Sequence, residues 1–305
     1  LVLLPLGEST SKYKPELKIF KTLASLAKEH ALYLAGAAPV IPRGLKTAQT
    51  IGFLFGPDGE ALLRVPKVTP DYLTGFSDTT CELGKRAKFP TAKTPLGVVG
   101  LLVGEDIFQT HLGRALTWHG AEIILNPAIE RRDYSYESRL NARLVRAYEN
   151  LAYVACATPS HITRRGNDVS LPPGGGFYSW TYRKLRIGKD ETFLSVCADI
   201  ETLRIRRQNP YYNPPVHVRA NLYVKGLQAV KKQQPSRVLP KTKSGWIKEA
   251  LARQVSQATR NAIKGQQEER YDVLVVQPEP RFIQKSTNDP KSIIQKNLED
   301  ALSIT

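Results

Sequence analysis

The sequence predicts an α/β protein, and three observations carry that expectation. Residues 95–127, PLGVVGLLVGEDIFQTHLGRALTWHGAEIILNP, read as strand, polar turn, helix and strand. Residues 1–35 give the same order of strand, helix and strand. Gly56-Pro57-Asp58-Gly59 stands between two apolar runs, where a hairpin turn belongs.

Taken in order, the apolar run 1–4 is expected as a buried strand, ended by Pro5 and followed by a polar turn at 7–10. Leu17, Phe20, Leu23, Ala24 and Ala27 recur at helical spacing, with Pro15 near the helix start. Strands follow at 31–35, 50–55 and 61–65, the last pairing back across the hairpin and ending at Pro66-Lys67. The Val- and Leu-rich run 98–103 reads as a strand buried on both faces. Gly104-Glu105-Asp106 ends it with two carboxylates, which either cap the next helix or mark a site. A helix over 108–119 stops at Gly120, the position a C′ glycine would take, and the strand 123–125 closes at Asn126-Pro127. A helix over 138–149 carries Leu140, Leu144, Val145 and Ala147. Strands are expected at 151–157 and 193–200, with a loop at 172–176 and irregular chain onward to about 223.

The composition then shifts. Between 201 and 270 there are 15 Lys plus Arg against 4 acidic residues, and 246–263 is a helix candidate with Ile247, Leu251, Val255 and Ala258 on one face. Residues 225–270 therefore read as a basic helical linker or arm: a solvated amphipathic helix, a surface for an anionic partner, or a nucleic-acid contact. Residues 271–277, YDVLVVQ, form a strand; Asp289 N-caps a helix with Pro290 in its first position, carrying Ile293, Ile294 and Leu298.

Composition sets outer limits. With 305 residues, 41% hydrophobic and 24% charged, the chain is long enough for one large domain or two small ones and ordinary for a globular protein. No apolar run reaches the length of a membrane span, and no segment reads as a signal peptide. Cys81, Cys156 and Cys197 lie far apart without metal-ligand spacing. Cys156 and Cys197 sit in apolar runs and are expected as buried thiols, which favours a reducing, cytoplasmic compartment. The formal charge of +16 favours anionic partners or a basic solvated surface. The chain has no Met, where about six would follow from average usage. Residues absent from the sequence as written, a modified cysteine among them, are one expectation that follows.

A sharp polar turn at a strand's carboxyl end is where α/β enzymes place a nucleophile or bind a ligand. Gly120-Ala121-Glu122-Ile123-Ile124-Leu125-Asn126-Pro127, after the 98–103 strand and its helix, resembles the nitrilase superfamily of carbon–nitrogen hydrolases. Gly56-Pro57-Asp58-Gly59 followed by Leu63-Arg64-Val65-Pro66-Lys67 is similar to that family's Asp-Gly turn and lysine-ended strand. Arg146-Ala147-Tyr148-Glu149-Asn150 matches its Arg-Ala-x-Glu-Asn helix end, and Gly176 and Ser179 are loosely similar to its Gly-x-Ser. The strand and helix of 271–305, with Gln277 and Asn297, look like the opening of such a domain. Together these motifs cover most of 1–225 and 271–305.

The resemblance implies a four-layer α-β-β-α sandwich with a core over 1–224. It also implies circular permutation, a tandem array or exchange between copies to explain 271–305, whose strand would pair beside 1–4. It implies a homodimer through the helices 108–119 and 138–149. The family's chemistry uses a cysteine nucleophile, a glutamate base and an oxyanion-stabilising lysine, with no cofactor. Lys67 matches the lysine, although a strand-end lysine is ordinarily just exposed. Leu6 stands at the glutamate position, with Glu8 two residues on, and Val103, followed by Gly104 and Glu105, stands at the cysteine position.

The expected function is therefore that of a homologue with a degenerate triad, a binding or scaffold protein whose Lys67, Glu105 and Glu8 hold a small amide or carboxylate. Two alternatives stand beside it. One is an active amidase or nitrilase whose cysteine, between Val103 and Gly104, is missing from the sequence as written. The other is a basic, nucleic-acid-associated protein. Whether the chain is an enzyme stays open on the sequence alone.

Overall fold

Side chains that alternate across each strand sort the core into layers. In the computed structural model, which describes residues 1–7, 15–69, 89–133, 135–164, 167–188, 191, 193–219, 221–225 and 228, that alternation produces two sheets packed face to face. The first sheet holds β1 (Val2–Leu6), β2 (Leu34–Val40), β3 (Gln49–Phe55) and β4 (Ala61–Pro66) in that order, with α1 (Glu16–Glu29) between β1 and β2. β1 and β2 are parallel, as a helical crossover demands, whereas β2–β3 and β3–β4 are antiparallel. The hairpin turn falls where the sequence puts it, with Gly59 at φ +82°.

The second sheet is built from β5 (Ala92–Thr94), β6 (Gly97–Leu101), β7 (Ile123–Pro127) and β8 (Tyr153–Ala157). The 3₁₀ turn Gly104–Phe108 and α2 (Thr110–Trp118) join β6 to β7, and α3 (Tyr136–Asn150) joins β7 to β8. The hairpin β9 (His161–Arg164) and β10 (Asn167–Ser170) stands apart; β11 (Gly176–Tyr178) and β12 (Lys184–Arg186) complete the order β12-β11-β8-β7-β6-β5. β6, β7 and β8 run parallel.

Three apolar clusters then define four layers. Between the sheets lie Leu6, Ala35, Leu54, Leu63 and Val65 from the first, against Val99, Leu101, Ile123, Leu125 and Tyr153 from the second. The alternate residues face outward: Leu34, Phe53 and Phe55 meet Ala27, Phe20 and Leu23 of α1. On the other side Ile124 and Val154 meet Leu112 and Leu116 of α2 and Ala147 of α3. The order helix, sheet, sheet, helix is the sandwich implied above.

α4 (Ile200–Gln208), the 3₁₀ turn Pro210–Tyr212 and α5 (Pro214–His217) occupy the stretch expected to be irregular. α4 has a thin apolar face, with only Leu203 buried, and is held by arginines instead. Arg204 donates to Glu122 at 2.6 and 2.9 Å, and Arg207 donates to the carbonyls of Leu151 and Ala121 at 2.9 and 2.6 Å.

Other expectations need correction. The run 193–199 forms no strand; Leu194 and Ala198 pack on the inter-sheet core, and the segment lines a cavity of about 610 Å³ with Leu3, Leu125 and Phe177. Its apolar character therefore comes from covering a core, not from a ladder. Cys197 on that segment is exposed, whereas Cys156 on β8 is buried as expected. Leu17 is 80% exposed in the first turn of α1, outside the face that meets the sheet. The second strand begins at Leu34 because Ala31, at φ +47°, still belongs to the turn leaving α1. Glu8, Cys81 and the segments expected at 246–263 and 271–305 lie outside the described residues. Among the described residues no helix is long and apolar enough to cross a membrane, and no group of metal-ligating side chains forms.

Candidate functional site

The carboxyl ends of β4 and β6 meet, and the residues singled out from the sequence gather there. β6 continues in extended form through Leu102, whose N–H donates to Leu125 O at 2.9 Å, to Val103 at φ −93° and ψ 125°. Gly104 then turns the chain at φ +54°, in the left-handed region that glycine takes without steric cost. The 3₁₀ turn that follows buries Glu105 and Asp106 almost completely.

Asp106 does not cap α2. Its carboxylate crosses to the end of β4 and accepts from the N–H groups of Val68, at 3.2 Å, and Thr69, at 2.8 Å. Gln109 occupies the N-cap position of α2 and makes no side-chain cap bond. Asp106 therefore staples the two strand ends together. Lys67 sits at that junction, 4% exposed, so the ordinary reading of a solvated strand-end lysine fails. Its N–H extends the β3–β4 ladder to Thr50 O at 2.9 Å, and its Nζ donates to Thr69 O.

Val103 faces the other way, between the sheets. It is fully buried in the cluster that also holds Leu6, Leu54 and Val65. A Cβ on Gly52 of β3 would stand 2.2 Å from Leu101 Cδ2 and 2.7 Å from Val103 Cγ2, so the close approach of the sheets at this point needs a glycine. The positions where the resemblance puts a cysteine and a glutamate are thus both apolar and in one core cluster. Lys67, Glu105 and Asp106 form the polar side of the same junction.

Behind the turn, an asparagine and a buried chain of arginines and carboxylates hold it in place, and no local sequence pattern marks their contacts. Asn126, at the end of β7, donates through Nδ2 to Leu102 O at 2.9 Å and Gly104 O at 3.0 Å, bridging the turn on both sides of Val103. Its Oδ1 accepts from Arg143 Nε at 2.9 Å. Arg143 pairs with Glu130 at 2.6 Å, Glu130 with Arg139 at 2.8 Å, and Arg139 with Asp133 at 2.9 Å. Glu130, Arg139 and Arg143 are at most 2% exposed. Burial works to lower the pKa of Arg143, but the Cys156 thiol, Glu130 and Tyr178 outweigh it and raise it. Burial pushes the Cys156 thiol up to about 11, opposed by Arg143 and reinforced by Glu130, so this cysteine is not a ready nucleophile. The signal was spacing: Arg139, Arg143 and Arg146 recur every three or four residues on one face of α3, all buried.

Fold and site together define a class: an α-β-β-α sandwich with a lysine and two carboxylates buried where one strand of each sheet ends. Residues 5–187 match the carbon-nitrogen hydrolase family, and the chain belongs to it. Solved structures with the same fold include Nit3 of Saccharomyces cerevisiae, a member of branch 10 of the nitrilase superfamily. It is 17% identical, with a TM-score of 0.54, covering 67% of this chain and 71% of that one. A carbon-nitrogen hydrolase of Helicobacter pylori G27 gives 17% identity and a TM-score of 0.58 over 69% and 76%. An amidase from Nesterenkonia sp. gives 20% and 0.56 over 68% and 72%. Comparison with curated proteins returns no match.

Proposed function

We propose that this member of the family binds a small amide or carboxylate at the junction of β4 and β6 without turning it over by the covalent route. The observation that carries this reading is the apolar inter-sheet cluster holding both Val103 and Leu6. Covalent acyl transfer needs an attacking atom at the end of the central strand, and neither valine nor glycine has one. Loss of one member of such a unit costs roughly 10⁴–10⁶ in rate, and a second loss adds little. Lys67 and Glu105 are the groups assigned to the ligand, with Glu8 as a further contact.

The test is a panel of amides, nitriles and carbamoyl compounds, with fluoroacetamide as a trap read by protein mass. Covalent addition of its acetamide moiety at the active-site cysteine is seen in a mutant of the Nesterenkonia sp. AN1 amidase. The expected result is no turnover and no adduct at this junction. An adduct on a cysteine between Val103 and Glu105 would overturn the reading. That outcome is the second reading, an active hydrolase, which the strand-turn-helix geometry at Gly104 favours. Intact mass separates the two: a protein heavier than 34.0 kDa calls for peptide mapping across 98–110.

The same reading includes a homodimer through α2 and α3, supported by Trp118 and Val145, which are 50% and 38% exposed. Sedimentation velocity of the protein and of Val145→Glu tests it, and a monomer in both removes it. A cytoplasmic location is part of the reading, supported by the free thiols of Cys156 and Cys197. The basic segment 225–270 is assigned to anionic partners, on its charge alone.

A further inference from the structure

Away from the β4–β6 junction, the turn between β11 and β12 meets α3 and the α4–α5 segment around a cavity of about 680 Å³. That is within the size range of small-molecule sites. Its walls are aromatic. Tyr148 and Tyr182 lie with ring centroids 4.5 Å apart, and Trp180, Tyr211 and Tyr212 complete the lining. Tyr182 holds φ +63°, a left-handed conformation that costs a tyrosine free energy and turns the chain at the rim. Tyr211 is 87% exposed, although a ring of that size gains by burial.

The polar groups specify charge. Arg206 lies 3.9 Å above the Tyr212 ring, and no carboxylate appears among the lining residues described. Two N–H donors of the lining residues, Trp180 Nε1 and Arg206 Nε, are buried without a hydrogen-bond partner among the described residues. Arg114 Nη1 and Arg146 Nε, outside the lining, are in the same state, and all four atoms are sealed from solvent, so the charge of the Arg206 guanidinium rather than these N–H groups sets the preference of the cavity. A cationic ligand would meet a resident guanidinium. An apolar one would leave that charge without a counterion.

We infer that this cavity binds a flat aromatic anion, its ring stacked among Tyr148, Tyr182 and Tyr211 and its anionic group drawn to Arg206. A nucleoside monophosphate and an aromatic carboxylate share that chemistry. The site is independent of the fate of the nucleophile position, but it shares α3 with the homodimer proposed above, because Tyr148 lines the cavity one turn from Val145.

The experiment is calorimetric titration of the full chain with adenosine 5′-monophosphate, benzoate, adenosine and inorganic phosphate. The two aromatic anions should bind saturably and adenosine and phosphate at least about tenfold more weakly, since each lacks one half of the recognised chemistry. The stronger of the two anions identifies the source. Tyr211→Ala removes an exposed ring and should weaken the aromatic anions about tenfold without altering the melting temperature. Arg206→Gln should bring the anion down to the affinity of adenosine. Phosphate binding as well as the nucleotide, Tyr211→Ala binding like the parent, or no binding of either aromatic anion at millimolar concentration would each refute the assignment. So would sedimentation showing these rings buried against a second copy, with Tyr211→Ala dissociating it and no ligand heat in either protein.

Discussion

Replacing Glu130 by alanine is expected to be among the most damaging single changes in this chain. Its carboxylate is completely buried and joins Arg143 at 2.6 Å to Arg139 at 2.8 Å, both arginines themselves buried. Arg139 keeps Asp133, which is 17% exposed and in touch with solvent. Arg143 keeps no carboxylate among its named partners, only the amide oxygen of Asn126 at 2.9 Å and the Arg139 carbonyl at 3.5 Å. Breaking a buried pair in this way costs about 3–5 kcal/mol, because the orphaned charge is left in the interior. For a folded unit of this size each kcal/mol moves the melting temperature by about 2–4 °C, so a fall of roughly 10 °C is expected. Calorimetry and urea titration read it directly. Replacing both partners with apolar groups of similar volume, Glu130→Leu with Arg143→Met, should cost less than Glu130→Ala alone, since no buried charge is stranded. If Glu130→Ala loses under about 1 kcal/mol, or the double variant is the worse of the two, the network does not hold the turn as described.

Three further outcomes can be checked separately. Gly52→Ala should destabilise by about 1–3 kcal/mol in urea titration, since its Cβ would overlap Leu101 and Val103; an unchanged midpoint would mean the sheets have room there. Alkylation at pH 8 followed by peptide mass analysis should label Cys197 in the native protein and Cys156 only on unfolding, because Cys156 is buried and its thiol is pushed up to about 11. For Glu122, burial works to raise the pKa, but Arg204 and the Val98 N–H outweigh it and lower the value from its reference of 4.5. A carboxylate lowered in the folded state gives stability above its unfolded value, lost as pH falls through the lowered one. The parent should therefore lose this contribution only below about pH 4.5, and Arg204→Gln should flatten the acid limb of its stability profile.

Most of the layer order was legible because it rests on two short periods. Leu54 against Phe53 and Phe55, and Ile124 against Ile123 and Leu125, alternate between the sheet interface and the helices, as a period of two dictates. The run 193–199 misled because apolar residues can cover a core without joining a ladder, and periodicity does not separate the two cases. α4 was missed because arginines at Glu122 and at two carbonyls hold it, leaving little apolar stripe to read. At the site, Lys67, Val103, Gly104 and Glu105 were found from order along the chain. Asn126, Glu130 and Arg143 were not, because what links them to one another and to the turn is contact across 13, 17 and 22 residues of sequence, invisible to any local pattern.

The Asn126 bridge also bears on how such a family diversifies. The two carbonyls it grips belong to Leu102 and Gly104, so the backbone on either side of position 103 is fixed by groups that share no atom with that side chain. Position 103 is then a socket whose backbone is held independently of the side chain that fills it. An apolar occupant gains inter-sheet burial there, and a reactive one would be presented at the same angle. The backbone at this turn and the side chain it carries are therefore separable, although a change at position 103 alone would still leave Leu6 in the same apolar cluster.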